Sequence, residues 1–170
     1  MINKPKQKGA ETVEFAMIAL LFFAVLFAII EFGRALFVWN ALAEATRRGA
    51  RMAVVCPYDI ESPIPKQVAI FGDYASSLTT SPIIVGLTPA MVNVRYLNQD
   101  GAVETNPMRI EFVEVGIIDY PYQFIIPLWG SSITVGSLAS PAFTTTLPAE
   151  SLGAVPTIPG AALIAPACNF

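Results

Sequence analysis

Residues 9–40, GAETVEFAMIALLFFAVLFAIIEFGRALFVWN, decide what the rest of the chain can be. Lys4, Lys6 and Lys8 precede them, and residues 15–30 then run for 16 positions without a polar side chain, fenced by Glu14 and Glu31. No proline occurs between Ala10 and Cys56. With Ala, Leu, Met and Glu recurring, the stretch reads as one long helix, apolar at its start and amphipathic at its end. Sixteen residues rise about 24 Å, slightly short of a hydrocarbon core of about 30 Å. Extension to Trp39 gives a span of residues 15–39, which takes in Glu31 and Arg34. Those two lie three residues apart, where opposite charges meet on one helix face. Arg34 can also snorkel, and Trp39 suits the headgroup level. The helix is competent to cross a membrane.

A secretory signal peptide would carry a small-residue cleavage site after the apolar run. Here Glu-Phe-Gly-Arg-Ala-Leu-Phe-Val-Trp-Asn continues the helix, and the small residues Gly9 and Ala10 come before the run, with Glu14 five positions past Gly9. This order resembles a type IV prepilin: a basic leader, Gly, four residues, Glu, then an apolar helix. The longer string through EFGR and NALAEATRRGARMAVV resembles the TadE-like pseudopilins of tight-adherence (Tad, or Flp) pilus systems over residues 8–55. A weaker likeness extends to VEV…DYPYQFIIPLWG and TTTLPAESLG.

The resemblance implies cleavage between Gly9 and Ala10 by a prepilin peptidase on the cytoplasmic face. It further implies packing of the helix with other Tad pilins and pseudopilins, contact with the inner-membrane assembly platform and with membrane lipid, and an assembly role for Glu14. That role has a physical basis. A carboxylate near the membrane centre costs about 2.5–3.5 kcal/mol on insertion scales. A new α-amine at Ala10, with a reference pKa of about 7.7–8.0, would neutralise Glu14 of a neighbouring subunit and set axial register. The plainer alternative keeps Glu14, like Glu11, as N-terminal helix charge that the macrodipole favours.

Composition fits a membrane-anchored exported protein. The 170 residues carry a net charge of −3 and are 54% hydrophobic, with a mean hydropathy of +0.58. Nothing in that charge attracts nucleic acid. There is no histidine, which removes His-based acid–base chemistry and His metal ligation. Scattered carboxylates show no calcium-loop, GxSxG or P-loop pattern, so no enzyme and no cofactor are expected. The two cysteines, Cys56 and Cys168, are too far apart for a CxxC site. In an oxidising periplasm they are expected to form a disulfide that pins the tail to the helix end. Closing a loop of that length contributes about 4.7 kcal/mol in the chain-entropy model. Two free or buried thiols are the alternative.

The lysines at the start favour a cytoplasmic N-terminus, but Arg34, Arg47, Arg48 and Arg51 follow the span, and charge alone leaves the topology open. The prepilin resemblance and the cysteine pair favour an inner-membrane protein, N-terminus in and C-terminal head in the periplasm. A single-pass anchor whose head binds envelope components and never enters a filament is the rival.

Past the span, Val38, Leu42, Ala45, Gly49, Met52 and Cys56 recur at spacings of 4-3-4-3-4, the stripe of a packing face. Glu44, Arg47, Arg48 and Arg51 are expected on the opposite, solvated face. Cys56-Pro57 ends the helix, since the residue before proline is driven out of helical geometry. A second short helix is expected over residues 65–75, with Val68, Phe71 and Ala75 inward. Alternation at Val92, Val94 and Tyr96 predicts a strand, and Asn98-Gln-Asp-Gly101 a turn back into a partner over residues 102–105. Residues 109–118 form the strongest predicted strand; 133–135 and 143–147 are shorter candidates. Tyr120, Tyr122, Phe124 and Trp129 read as core or loop packing before they read as an exposed patch. The expected organisation is a leader over 1–9, a helix over 10–55, an α+β head with a small antiparallel sheet over 56–152, and an extended Pro/Ala-rich tail over 153–170.

Overall fold

A computed structural model describes residues 8–59, 62–73, 78–123, 142–150 and 152. It is α+β: one long helix, α1 (Lys8–Val55), a short helix, α2 (Ile64–Phe71), and a sheet of β1 (Val92–Leu97), β2 (Phe112–Ile117) and β3 (Phe143–Pro148). Forty-eight helical residues rise about 72 Å. The helix stops where expected, the Cys56 N–H still reaching the Met52 carbonyl at 3.0 Å before Pro57 turns the chain away.

Only the second half of α1 carries the head. Residues 10–30 are bare, with Phe15, Leu20, Leu21 and Ile29 each roughly 70% exposed or slightly less. Burial begins at Glu31 and continues through Val38, Leu42, Ala45, Thr46, Gly49, Ala50, Ala53, Val54 and Cys56. The bare section is 21 residues, about 32 Å long, but its first turns carry Glu11 and Glu14, and the run without a polar side chain remains residues 15–30, about 24 Å. The expected packing stripe holds at Val38, Leu42, Ala45, Gly49 and Cys56. Between the last two it drifts from Met52, which is half-buried, to Ala53, because a straight helix advances 3.6 residues per turn and a 4-3 repeat averages 3.5.

The sheet is antiparallel in the order β1-β2-β3, with Val92 opposite Ile117 and Ile117 opposite Phe143. Its direction relative to α1 follows from one side-chain and one backbone hydrogen bond. The Thr46 and Thr145 hydroxyls meet at 2.9 Å, and the Leu152 N–H reaches the Val54 carbonyl at 3.2 Å, so β3 runs alongside α1 in the same sense. β2 therefore runs back down the helix: Val115 lies against Gly49, and Tyr122 reaches Glu31. The Val92 end of β1 lies at the end of the head nearest the bare helix; the turn after Leu97 lies at the far end.

Three expectations change. α2 stops at Phe71 because Gly72 takes φ +72°, a left-handed C-cap whose N–H bonds the Val68 carbonyl at 3.0 Å. Its buried face is Pro65, Ala69 and Ile70, with Val68 and Phe71 only half-buried and Ala75 outside the described residues. Gly49 sets this face: a Cβ there would lie 2.9 Å from Ala69 Cβ and 3.2 Å from the Pro65 oxygen, so the helices touch backbone to side chain. Residues 102–105 make a single bridge, Leu97 to Val103, instead of a strand. Glu104 bends the chain away, its carboxylate accepting from the N–H groups of Thr105 at 3.0 Å and Asn106 at 3.1 Å. The Asn106 and Thr105 bonds hold that carboxyl below its ordinary pKa. Residues 107–109 form a 3-10 turn, so β2 starts at Phe112. The 133–135 candidate lies outside the described residues.

Candidate functional site

The head meets the helix at a polar joint where the apolar run ends. Glu31 is 9% exposed although it carries a carboxylate. Arg34, one turn on, forms the expected pair with it, Nε donating to Oε1 at 3.1 Å. The chain then returns from β2 to close over the pair. The Tyr122 hydroxyl donates to Glu31 Oε1 at 2.9 Å, and the Arg34 guanidinium lies 4.4 Å from the centre of the Tyr122 ring while donating to the Gln123 carbonyl. Burial, reinforced by the bond to Glu31, pushes the Tyr122 hydroxyl up to about 12. Its neighbour Tyr120 donates to the Val85 carbonyl at 2.7 Å and is raised by burial too. Both tyrosines are core residues, as the sequence predicted for their segment; Phe124 and Trp129 lie outside the described residues.

The arrangement satisfies an acid and a base that would otherwise be costly beside an apolar phase. The carboxylate is engaged by both Arg34 and Tyr122. What the arrangement does is fix the head at one height on α1.

Arg48 departs from its expected place on the solvated face. It is half-buried, and its terminal nitrogen donates to the Ala69 carbonyl at 3.2 Å, a cation at the negative C-terminal end of α2. Glu44, Arg47 and Arg51 are exposed as expected, with Glu44 and Arg47 3.7 Å apart.

The residues predicted for processing and assembly lie far from this joint. Gly9, Ala10 and Glu14 are exposed on the first turns of α1, which already includes Lys8. Cys56 is 2% exposed at the other end of the helix, and Cys168 lies outside the described residues. The joint itself was half visible beforehand: Glu31 and Arg34 pair locally, whereas Tyr122 is 91 residues away and no local pattern links it to them.

One helix thus carries an exposed apolar section and a fixed acidic–basic step, and it is this part of the chain that a family model recognises: residues 9–51 match the model described as TadE-like protein. That stretch, about a quarter of the chain, is similar to TadE-like proteins. The match ends inside α1, so the TadE-like segment contains the Glu31–Arg34 pair but not Tyr122, Gln123 or any strand. Comparison with curated proteins and with solved structures finds no match. A TadE-like segment with one apolar N-terminal helix fits a membrane-anchored protein associated with a Tad pilus and interacting with other pilus components. The TadE-like family is structural rather than catalytic.

Proposed function

We propose that this protein is a pseudopilin, or minor pilin, cut by a prepilin peptidase between Gly9 and Ala10, that helps initiate, cap or decorate a Tad (Flp) pilus. The N-terminus faces the cytoplasm and the head the periplasm until the helix leaves the inner membrane for a bundle with other pilin helices. The observation that carries the reading is the bare section of α1, residues 10–30, inside the TadE-like match. Within it residues 15–30 are apolar on all sides and must be covered by lipid or by other helices, and a filament core supplies the second once the first is left. The fixed head leaves that section free to pack.

N-terminal sequencing of the protein made with and without a prepilin peptidase tests the proposal. A new start at Ala10 only with the peptidase is the expected result. An intact Met1 under both conditions would point to a plain membrane anchor, and a start beyond residue 30 to a signal peptide.

A further inference from the structure

The loop before β1 has an unusual surface. From Tyr74 to Val94 the chain has no Asp, Glu, Lys or Arg. Within it, Ser81 organises a tight loop: its hydroxyl oxygen accepts from the N–H groups of Ile83 at 3.3 Å and Ile84 at 3.1 Å, and its own N–H bonds the Leu87 carbonyl at 2.9 Å. Ile84 and Leu87 are buried beneath, which leaves Ile83 56% and Val85 79% exposed on the outside. A loop so bonded holds Ile83 and Val85 outward by construction, and the loop itself carries no charge.

Its height on the molecule is fixed. Tyr120 ties the Val85 carbonyl to the segment that, two residues later, bonds Glu31, the first charge after the apolar run. The loop leads through a 3-10 turn into the Val92 end of β1, the end nearest the bare helix. Ile118, 43% exposed, follows Ile117 on that same end of the sheet. The exposed apolar Met108 and Val103, by contrast, lie toward the other end, among Asp100, Glu104 and Arg109.

We infer that the loop around Ile83 and Val85 is a second membrane contact, dipping into the headgroup–acyl boundary of the bilayer that α1 crosses. It rests on the reading of residues 10–30 as a membrane span. The partner is lipid and not a second copy because the loop shares the height at which the span leaves the apolar phase and carries no charge to resist entry. A shallow apolar contact of this kind reaches about 5–10 Å into the interface. The head would then rest on the membrane at two points, the helix and the loop, and would be held in one orientation.

The test uses the full chain with Trp39→Phe and Trp129→Phe, reconstituted in phosphatidylcholine–phosphatidylglycerol vesicles whose acyl chains are brominated near the headgroup. Single tryptophans are placed by Phe22→Trp in the span, Val85→Trp in the loop and Val103→Trp at the far end, all exposed positions that tolerate the larger ring. The expected result is quenching and blue-shifted emission for Phe22→Trp and Val85→Trp, with Val103→Trp unquenched. Quenching of Phe22→Trp alone would overturn the loop contact and leave the span intact. Loss of quenching at both would overturn the span reading and the loop contact with it. A Val85→Trp signal that shifts only as protein density in the vesicle rises would assign the loop to a second copy instead, and overturn the lipid contact.

Discussion

The Tyr122 hydroxyl donates to Glu31 Oε1 at 2.9 Å across 91 residues of chain, and that one bond joins the end of the β2 segment to the end of the apolar helix run. A hydrogen bond to a charged group contributes about 1.5–3 kcal/mol when it is made out of water. Tyr122→Phe keeps the ring under Arg34 and removes the hydroxyl with this bond and its longer one, 3.4 Å, to the Glu31 backbone carbonyl, so it is expected to lower stability by about 1–3 kcal/mol. Thermal unfolding in detergent, followed by near-ultraviolet circular dichroism, would read the loss. Glu31→Ala is expected to cost more, since it strands Arg34 as well. An unchanged melting curve for both would mean that the joint contributes nothing net.

Alkaline pH attacks the same joint. The folded Tyr122 hydroxyl is raised to about 12, above the unfolded value near 10. Its stabilisation is therefore fully present below the unfolded value and is lost as pH rises through the folded one. Tyr96 and Tyr120 are raised in the same direction, by burial first. Tyrosinate absorbance is expected to show late ionisation, with the latest step missing in Tyr122→Phe. Stability should fall between about pH 10 and 12, less steeply in that variant.

Two glycines of α1 are expected to respond in opposite ways. A Cβ at Gly49 would meet Ala69 Cβ at 2.9 Å and Val115 Cγ1 at 3.1 Å, whereas at Gly33 it would meet nothing within 4 Å. Alanine gains about 1 kcal/mol over glycine in a helix, against about 1–3 kcal/mol for overpacking. Gly33→Ala should therefore stabilise the isolated protein and Gly49→Ala should leave it unchanged or weaker, with Gly49→Val clearly destabilised. Denaturant midpoints in detergent would rank them. If Gly33→Ala blocked piliation while stabilising the monomer, Gly33 would be a contact between subunits.

Glu14 is exposed on the bare section, where the proposed pairing with a neighbour's Ala10 amine has room to form. Glu14→Ala is expected to be processed at Gly9 normally and to fail in assembly. Pilus counts and the N-terminal sequence together decide the matter. Normal piliation with normal processing would remove the neutralisation role and leave the macrodipole reading.

Cys56 sits buried at the helix end, the place the proposed bridge to Cys168 requires. Exported protein alkylated without reductant is expected to take up no label, and to take up two after reduction. Two labels before reduction would sink the bridge.

How much of this was legible depended on the reach of each interaction. The long helix could be read because every cue was local: no proline, an apolar run, a 4-3 stripe, Cys56-Pro57 at the end. The Glu31–Arg34 pair and the β1 strand were legible for the same reason. Arg48 was misplaced because the partner that draws it inward is the Ala69 carbonyl on another helix, which no charge pattern on α1 reveals. The face of α2 was offset by one position because Gly49, not hydrophobicity, decides where the two helices touch. The turn at residues 98–101 was legible and the chain does fold back, with Ala102 bonded to Asn98 and Glu104 to Tyr96, but the departure after Glu104 was not, because the Glu104 and Asn106 side chains hold the backbone that follows.

The placement of Tyr122 and Arg34 also has a mechanical meaning. The head is tied to α1 at both ends of its seat, by Tyr122 and Gln123 at Glu31 and Arg34 and by the Leu152 N–H at the Val54 carbonyl, so tension on it would be shared along the seat. Head and upper helix would then move as one stiff handle, and each turn of bare helix drawn past its surroundings would displace the head by the same step of about 5.4 Å.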